Sequence, residues 1–172
     1  MPNTKTVKDM MIDVFEYPHM PYWFTIRQAI GIIKNSLIKS DKCIHPQAVL
    51  VFDEKYNLMG VLTLKEILEG LEPRFLKPST KAQGISGAEE DLSAVWASLF
   101  PKECKERAES PVSNVMIPVK SFVSPDDEVA KAAYHMVHDD LMLLPVIKGG
   151  KLMGIIRMIE VFQEVSDVVL KD

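Results

Sequence analysis

The sequence predicts an α+β fold in which one βαββα unit occurs twice, with an inserted helical linker between the copies. Two observations lead there. Three blocks recur in the same order: VKDMMIDV from Val7 over VSNVMIPV from Val112, TIRQAIGII from Thr25 over EVAKAAYHM from Glu128, and NLMGVLTLKEIL from Asn57 over KLMGIIRMIEVF from Lys151. Each copy also passes from helical periodicity to two branched, strand-like runs and back to a helix. The offset between copies shrinks along the chain, which marks loop insertions in the first.

Each unit opens on a short apolar start, Val-x-x-x-Met-Ile, leading into a strand. A helix follows, with Ile26, Ala29, Ile30 and Ile33 in the first copy and Val129, Ala132, Ala133 and Met136 in the second. These positions advance by three or four residues and form one buried stripe. The run SPDDE from Ser124 supplies a helix-start signal through Ser or Asp capping and acidic residues in the first turn. AVLVFD, the turn EKYN and LMGVLTL then read as a hairpin, as do LLPVIK, GG and KLMGIIRM. The last strand runs directly into KEILEGL in one copy and IEVFQEVSDVVL in the other. The domain plan is a first repeat at 5–72, a linker at 73–110 and a second repeat at 111–172. Within the linker, AEEDLSAVWASLF sets Leu92, Val95, Trp96 and Leu99 on one face of an expected amphipathic helix.

With 172 residues, 47% of them hydrophobic, the chain can build one compact domain or two small ones sharing a core. A net charge of −4 argues against sequence-independent nucleic-acid binding, which needs clustered Lys and Arg. Cys43 and Cys104 stand far apart without a CxxC pattern, as expected in a reducing compartment. The first residues lack the apolar core of a signal peptide, and no apolar run approaches the roughly 18 residues of a membrane span. A cytoplasmic protein with no membrane contact is the expectation.

These blocks resemble CBS domains. The shared features are Val-x-x-x-Met (Val7 to Met11, Val112 to Met116), a helix with a central Ala, the strand Leu144-Pro145-Val146, and Leu-x-Gly followed by two apolar residues and a helix. The resemblance implies a pair of units packed with pseudo-twofold symmetry, whose two clefts take adenosine compounds: AMP, ADP, ATP, S-adenosylmethionine, NAD or cyclic dinucleotides. No cofactor is required; such a compound acts as a regulatory ligand.

The family's nucleotide signature, Gly-φ-x-Thr/Ser-x-x-Asp/Asn with φ apolar, falls where the last strand becomes the last helix. A helix N-terminus offers free N–H groups to phosphate, a hydroxyl can donate to it, and a carboxylate can accept from both ribose hydroxyls. The first copy supplies Gly60, Thr63 and Glu66, with Glu in place of Asp. The second supplies Gly154, Arg157 and Glu160, so that a guanidinium replaces the hydroxyl. Two readings of Arg157 stand: a fork of donors for phosphate, or a partner for Glu160 three residues on. Thr63 is either a ligand contact or an ordinary helix cap. The base would lie against the strand starts, at Ile12 and Val14 in the first copy and Ile117, Pro118, Ser121, Met142 and Pro145 in the second. Phe15, Tyr17, Tyr22 and Trp23 could stack on it or bury area in an interface.

His135, His138, Asp139 and Asp140 have spacing that can hold a metal, yet they also suit a solvated helix end, where histidine meets the negative dipole. No GxSxG, HExxH, Walker A or GxGxxG pattern occurs, and an enzyme is not expected. The expected function is a ligand-binding regulatory homodimer that signals to a separately encoded target protein. The alternative is an interaction scaffold with an empty cleft, working through the Trp96 helix.

Overall fold

The computed structural model describes residues 5–36, 47–72 and 100–172, and the βαββα order runs through them twice. The first copy comprises α1 (Val7–Met10), β1 (Ile12–Asp13), a 3-10 turn at Val14–Glu16, β2 (His19–Pro21), α2 (Ile26–Ser36), β3 (Ala48–Phe52), β4 (Leu58–Thr63) and α3 (Leu64–Leu71). A helical stretch at 100–107, labelled α4, precedes the second copy. That copy has a 3-10 turn at Val112–Asn114, then β5 (Ile117–Pro118), α5 (Val129–His138), β6 (Leu143–Lys148), β7 (Lys151–Arg157) and α6 (Met158–Leu170). Leu92, Val95, Trp96 and Leu99 of the expected linker helix lie outside the described residues.

Local chemistry explains the hairpins. All five residues of β3 are buried, as a run of apolar branched residues requires. At its end Asp53 turns the chain by accepting from the N–H groups of Lys55 and Asn57, both at 2.8 Å. The second hairpin uses Gly149 and Gly150 at φ 59° and 75°, the left-handed pair that a two-residue turn favours.

The chain forms two compact units whose borders cut across the repeats. One takes Met1–Pro18 together with Pro118–Asp172; the other is His19–Ile117. In the first, β1 joins the sheet of the second repeat in the order β1-β7-β6, with Ile12 opposite Ile155 and Asp13 opposite Gly154. In the second, β5 joins the sheet of the first repeat in the order β2-β3-β4-β5. The copies therefore exchange their opening segments. Val7 is fully buried in the core built on Ile156 and Val161, and Val112 in the core built on Leu62 and Ile67.

This exchange also corrects the expected helix start. Ser124 and Asp127 do form a box, with the Ser124 N–H donating to the Asp127 carboxylate at 2.8 Å, but α5 begins only at Val129. The Val129 N–H instead donates to the carbonyl of Lys5 at 3.3 Å, and the Ile26 N–H donates to that of Ser110 at 3.0 Å. Orphan helix donors are satisfied here by backbone distant in sequence, from the opening segment at Lys5 and from the end of the linker at Ser110. Of the predicted stripes, Ile26, Ala29 and Ile33 in α2 and Val129, Ala132 and Met136 in α5 are buried, while Ile30 and Ala133 are only partly so and pack against the same cores. Among the described residues no helix is long and apolar enough to cross a membrane.

Candidate functional site

Two glycines let the exchanged strands approach. A Cβ on Gly60 would lie 2.6 Å from the carbonyl oxygen of Ile117, and one on Gly154 would lie 2.3 Å from that of Ile12. The strand-start residues are thus crossed relative to the sequence reading. Ile117 lies beside the first repeat's Gly60, and Ile12 beside the second repeat's Gly154. The reason is the exchange: two short apolar segments of the same pattern, each pairing with the other copy's sheet.

Three residues after Gly60, Thr63 ends β4 and caps α3. Its N–H donates to Glu66 Oε2 at 2.8 Å, and its hydroxyl donates to the same oxygen. The pair is a capping box. Glu66 is 6% exposed, the sole charged residue buried among those described. Among the described residues nothing hydrogen-bonds to its Oε1. The Leu64 N–H is taken by the Gln47 carbonyl at 3.3 Å, and Gln47 has a left-handed φ of 58°.

The second repeat repeats the backbone and changes the chemistry. Arg157 caps α6, and its N–H donates to Glu160 Oε2 at 3.0 Å. Its guanidinium folds onto the same carboxylate, with Nε at 2.9 Å from Oε1 and 3.1 Å from Oε2, and Nη2 also donating to Oε1. Both side chains are largely buried, at 14% and 13% exposure. Of the two readings of Arg157, the geometry adopts the pairing with Glu160. Both oxygens of Glu160 are engaged, whereas among the described residues only one oxygen of Glu66 is. The Met158 N–H donates to the Met142 carbonyl at 2.8 Å, the counterpart of Gln47 and Leu64. Gln47 escaped the sequence reading because its contribution is a carbonyl, although the repeat alignment maps it onto Met142.

The remaining candidates scatter around the second repeat. Pro145 lies in β6 opposite Ile155, Met142 is exposed, and Pro118 is at the surface while Val14 and Ser121 are half-buried. The Ser121 hydroxyl donates to Asp139 Oδ2 at 2.8 Å, and His135 Nδ1 lies 3.0 Å from that same oxygen. The Ser121 hydroxyl first, and the His135 ring second, hold the Asp139 carboxyl below the usual carboxylate range. His138 stacks on Tyr134 with centroids 4.2 Å apart. No group of three His, Cys, Asp or Glu suited to a metal occurs among the described residues. The aromatic run divides: Tyr17 is buried, while Phe15 and Trp23 are exposed.

The family model described as "CBS domain" matches residues 112–167. No curated protein matches the chain in sequence. Among solved structures, a CBS domain-containing protein of unknown function from Bacillus anthracis aligns with a TM-score of 0.65 at 19% identity, over 94% of this chain and 93% of that one. CBSX2 in complex with AMP gives 0.62 at 17% identity, over 96% and 98%. The cytosolic domain of the Mg2+ channel MgtE in complex with ATP gives 0.60 at 19% identity, over 95% of this chain and 48% of that one.

Proposed function

We infer that this chain, which has the fold of a CBS-domain pair and carries a CBS domain over residues 112–167, is a regulatory module that binds an adenosine nucleotide. The observation that carries the reading is the Thr63–Glu66 box at the start of α3. It holds a buried carboxylate at a helix start, with hydrogen bonds among the described residues to one of its two oxygens; a carboxylate there would accept from ribose hydroxyls. AMP, ADP and ATP share the groups that would be recognised, and S-adenosylmethionine shares only the nucleoside. The AMP and ATP bound by two proteins of the same fold support this ligand class. Binding would favour one arrangement of the chain, which a target protein then reads. The module works in the cytoplasm as a homodimer and catalyses no reaction.

The Arg157–Glu160 pair favours a second reading, a scaffold whose clefts stay empty, with the segment around Trp96 as the working surface.

A thermal-shift screen against AMP, ADP, ATP, S-adenosylmethionine, NAD and cyclic di-AMP separates the two. A ligand at 100 times its Kd adds about 2.7 kcal/mol of stability. The expected result is a nucleotide-dependent rise in Tm that Thr63→Ala and Glu66→Ala each remove, judged against each variant's own ligand-free Tm. No shift with any compound would sink the sensor, and a deletion of 88–100 that abolished association would then favour the scaffold.

A further inference from the structure

The helix α3 starts at the Thr63–Glu66 box and ends at Gly70 and Leu71. A helix leaves its last carbonyls without intrahelical donors. Here α4 supplies them. Arg107 Nε donates to the Gly70 carbonyl at 3.1 Å, and the Cys104 thiol donates to that of Leu71 at 3.4 Å. The guanidinium also meets the negative end of the helix dipole.

We propose that Arg107 is a positioning residue for the nucleotide site of the first repeat, and that ligand and linker act on each other through α3. This rests on the nucleotide reading above and adds the element through which that site is regulated.

Length is the first argument. Isolated helices shorter than about 12–15 residues are marginal in water, and α3 has eight. Such a helix has no independent middle, so releasing one end loosens the other. Glu66 and Gly70 are four residues apart, so a single turn separates the box from the clamp.

The base on which α4 stands is the second argument. Ala108 is buried, and its carbonyl accepts from the Arg27 N–H at 2.9 Å. Arg27 Nη2 donates to the Lys105 carbonyl at 3.2 Å, and Arg27 pairs with Glu109. The clamp is thereby fixed to the start of α2. Gly70 is fitted into the same corner, where a Cβ would lie 2.7 Å from Ile26 Cδ1 and 3.0 Å from Val115 Cγ1.

The third argument compares the repeats. Among the described residues no side chain donates to the last carbonyls of α6, which ends on the backbone bond from Lys171 to Asp167. The clamp belongs to the repeat whose carboxylate has one oxygen engaged, and not to the one where Arg157 engages both. Residues 73–99 run from the end of α3 to α4. Because the clamp ties these two ends together, a target protein that draws on this segment acts on the nucleotide site.

Cys104 makes the clamp measurable. Burial first, and the Glu103 carboxylate second, hold its thiol above the ordinary value, so it reacts slowly while the clamp is closed. In the full chain with Cys43→Ser it is the sole thiol. Its labelling by an aromatic disulfide reagent is followed where the rate does not change with urea, so that it reports local opening and not global unfolding. Saturating AMP or ATP is expected to slow that labelling by about fivefold or more. By reciprocity, calorimetry should show Arg107→Met binding more weakly by the same factor, and Arg107→Lys, which keeps a donor, should recover part of the loss. If neither nucleotide binds the wild type, the nucleotide reading and this link fall together. A nucleotide that binds while Cys104 labels at an unchanged rate would overturn the link alone, and this decides the matter even where Arg107→Met does not fold. Slowed labelling with Arg107→Met binding as tightly as the wild type would remove Arg107 from its role.

Discussion

The backbone N–H of Ile26 donates to the carbonyl of Ser110 at 3.0 Å, so a helix early in the chain begins on a residue from the far end of the linker. The Val129 N–H does the same with Lys5. Together with the exchanged strands β1 and β5 and the buried Val7 and Val112, these bonds close each repeat with chain from outside it, and the energetic consequences should appear in the repeat opposite the change.

Val7→Ala and Val112→Ala test that directly. Both valines are fully buried, and each truncation should cost about 1.5–3 kcal/mol. In hydrogen exchange, Val7→Ala should loosen β6 and β7 first, while Val112→Ala should loosen β3 and β4. Loss of protection confined to the mutated residue's own repeat would contradict the exchange.

The glycines offer a sharper contrast. Gly60→Ala and Gly154→Ala force a methyl group against a backbone carbonyl, and overpacking of this kind costs about 1–3 kcal/mol. Gly31→Ala, where a Cβ meets nothing within 4 Å, should raise stability by about 0.5–1 kcal/mol because the position is helical. Urea midpoints of the three variants decide the matter, and a Gly31 variant as unstable as the others would show that the close approach is not the cause.

Arg157→Thr should change binding more than folding. It returns a hydroxyl to the place Thr63 holds in the first repeat and frees the Glu160 carboxylate from the guanidinium. Titration calorimetry with the nucleotide found in the screen should rise from one site per chain to two. A stoichiometry that stays at one would mean that something other than Arg157 closes the second repeat.

The tie between Ser121 and Asp139 should respond to acid. Because the folded carboxyl lies below its ordinary value of about 3.9, its contribution is complete above that value and is lost as pH falls through the lowered one. Ser121→Ala removes the larger cause. In a carboxyl NMR titration it should move the Asp139 midpoint upward, and an unmoved midpoint would remove the Ser121 hydroxyl from the account.

What could be seen in the sequence was what periodicity encodes. AVLVF, the Gly149-Gly150 turn and the stripes of α2 and α5 announce themselves because burial and φ requirements restrict residue type. The exchange could not be seen, since Val7 to Met11 and Val112 to Met116 carry the same pattern and either would suit either sheet. The start of α5 was misplaced for a related reason. Its first donor is met by the carbonyl of Lys5, and a carbonyl leaves no mark on residue identity. Arg157 with Glu160 was legible as one of two options, because spacing alone cannot say whether a guanidinium turns toward its neighbour or toward a ligand.

The crossed arrangement also sets an order for synthesis. Residues Lys5 to Asp13 leave the ribosome well before the sheet they join, in which β1 pairs with β7 and β6 lies beyond, and which is synthesised from Leu143 onward. At about 5–20 residues per second the wait lasts on the order of ten seconds. For that interval Val7, Met10, Met11 and Ile12 have no sheet to complete. The nascent chain must carry them past the emerging first repeat without letting them seat there in place of β5.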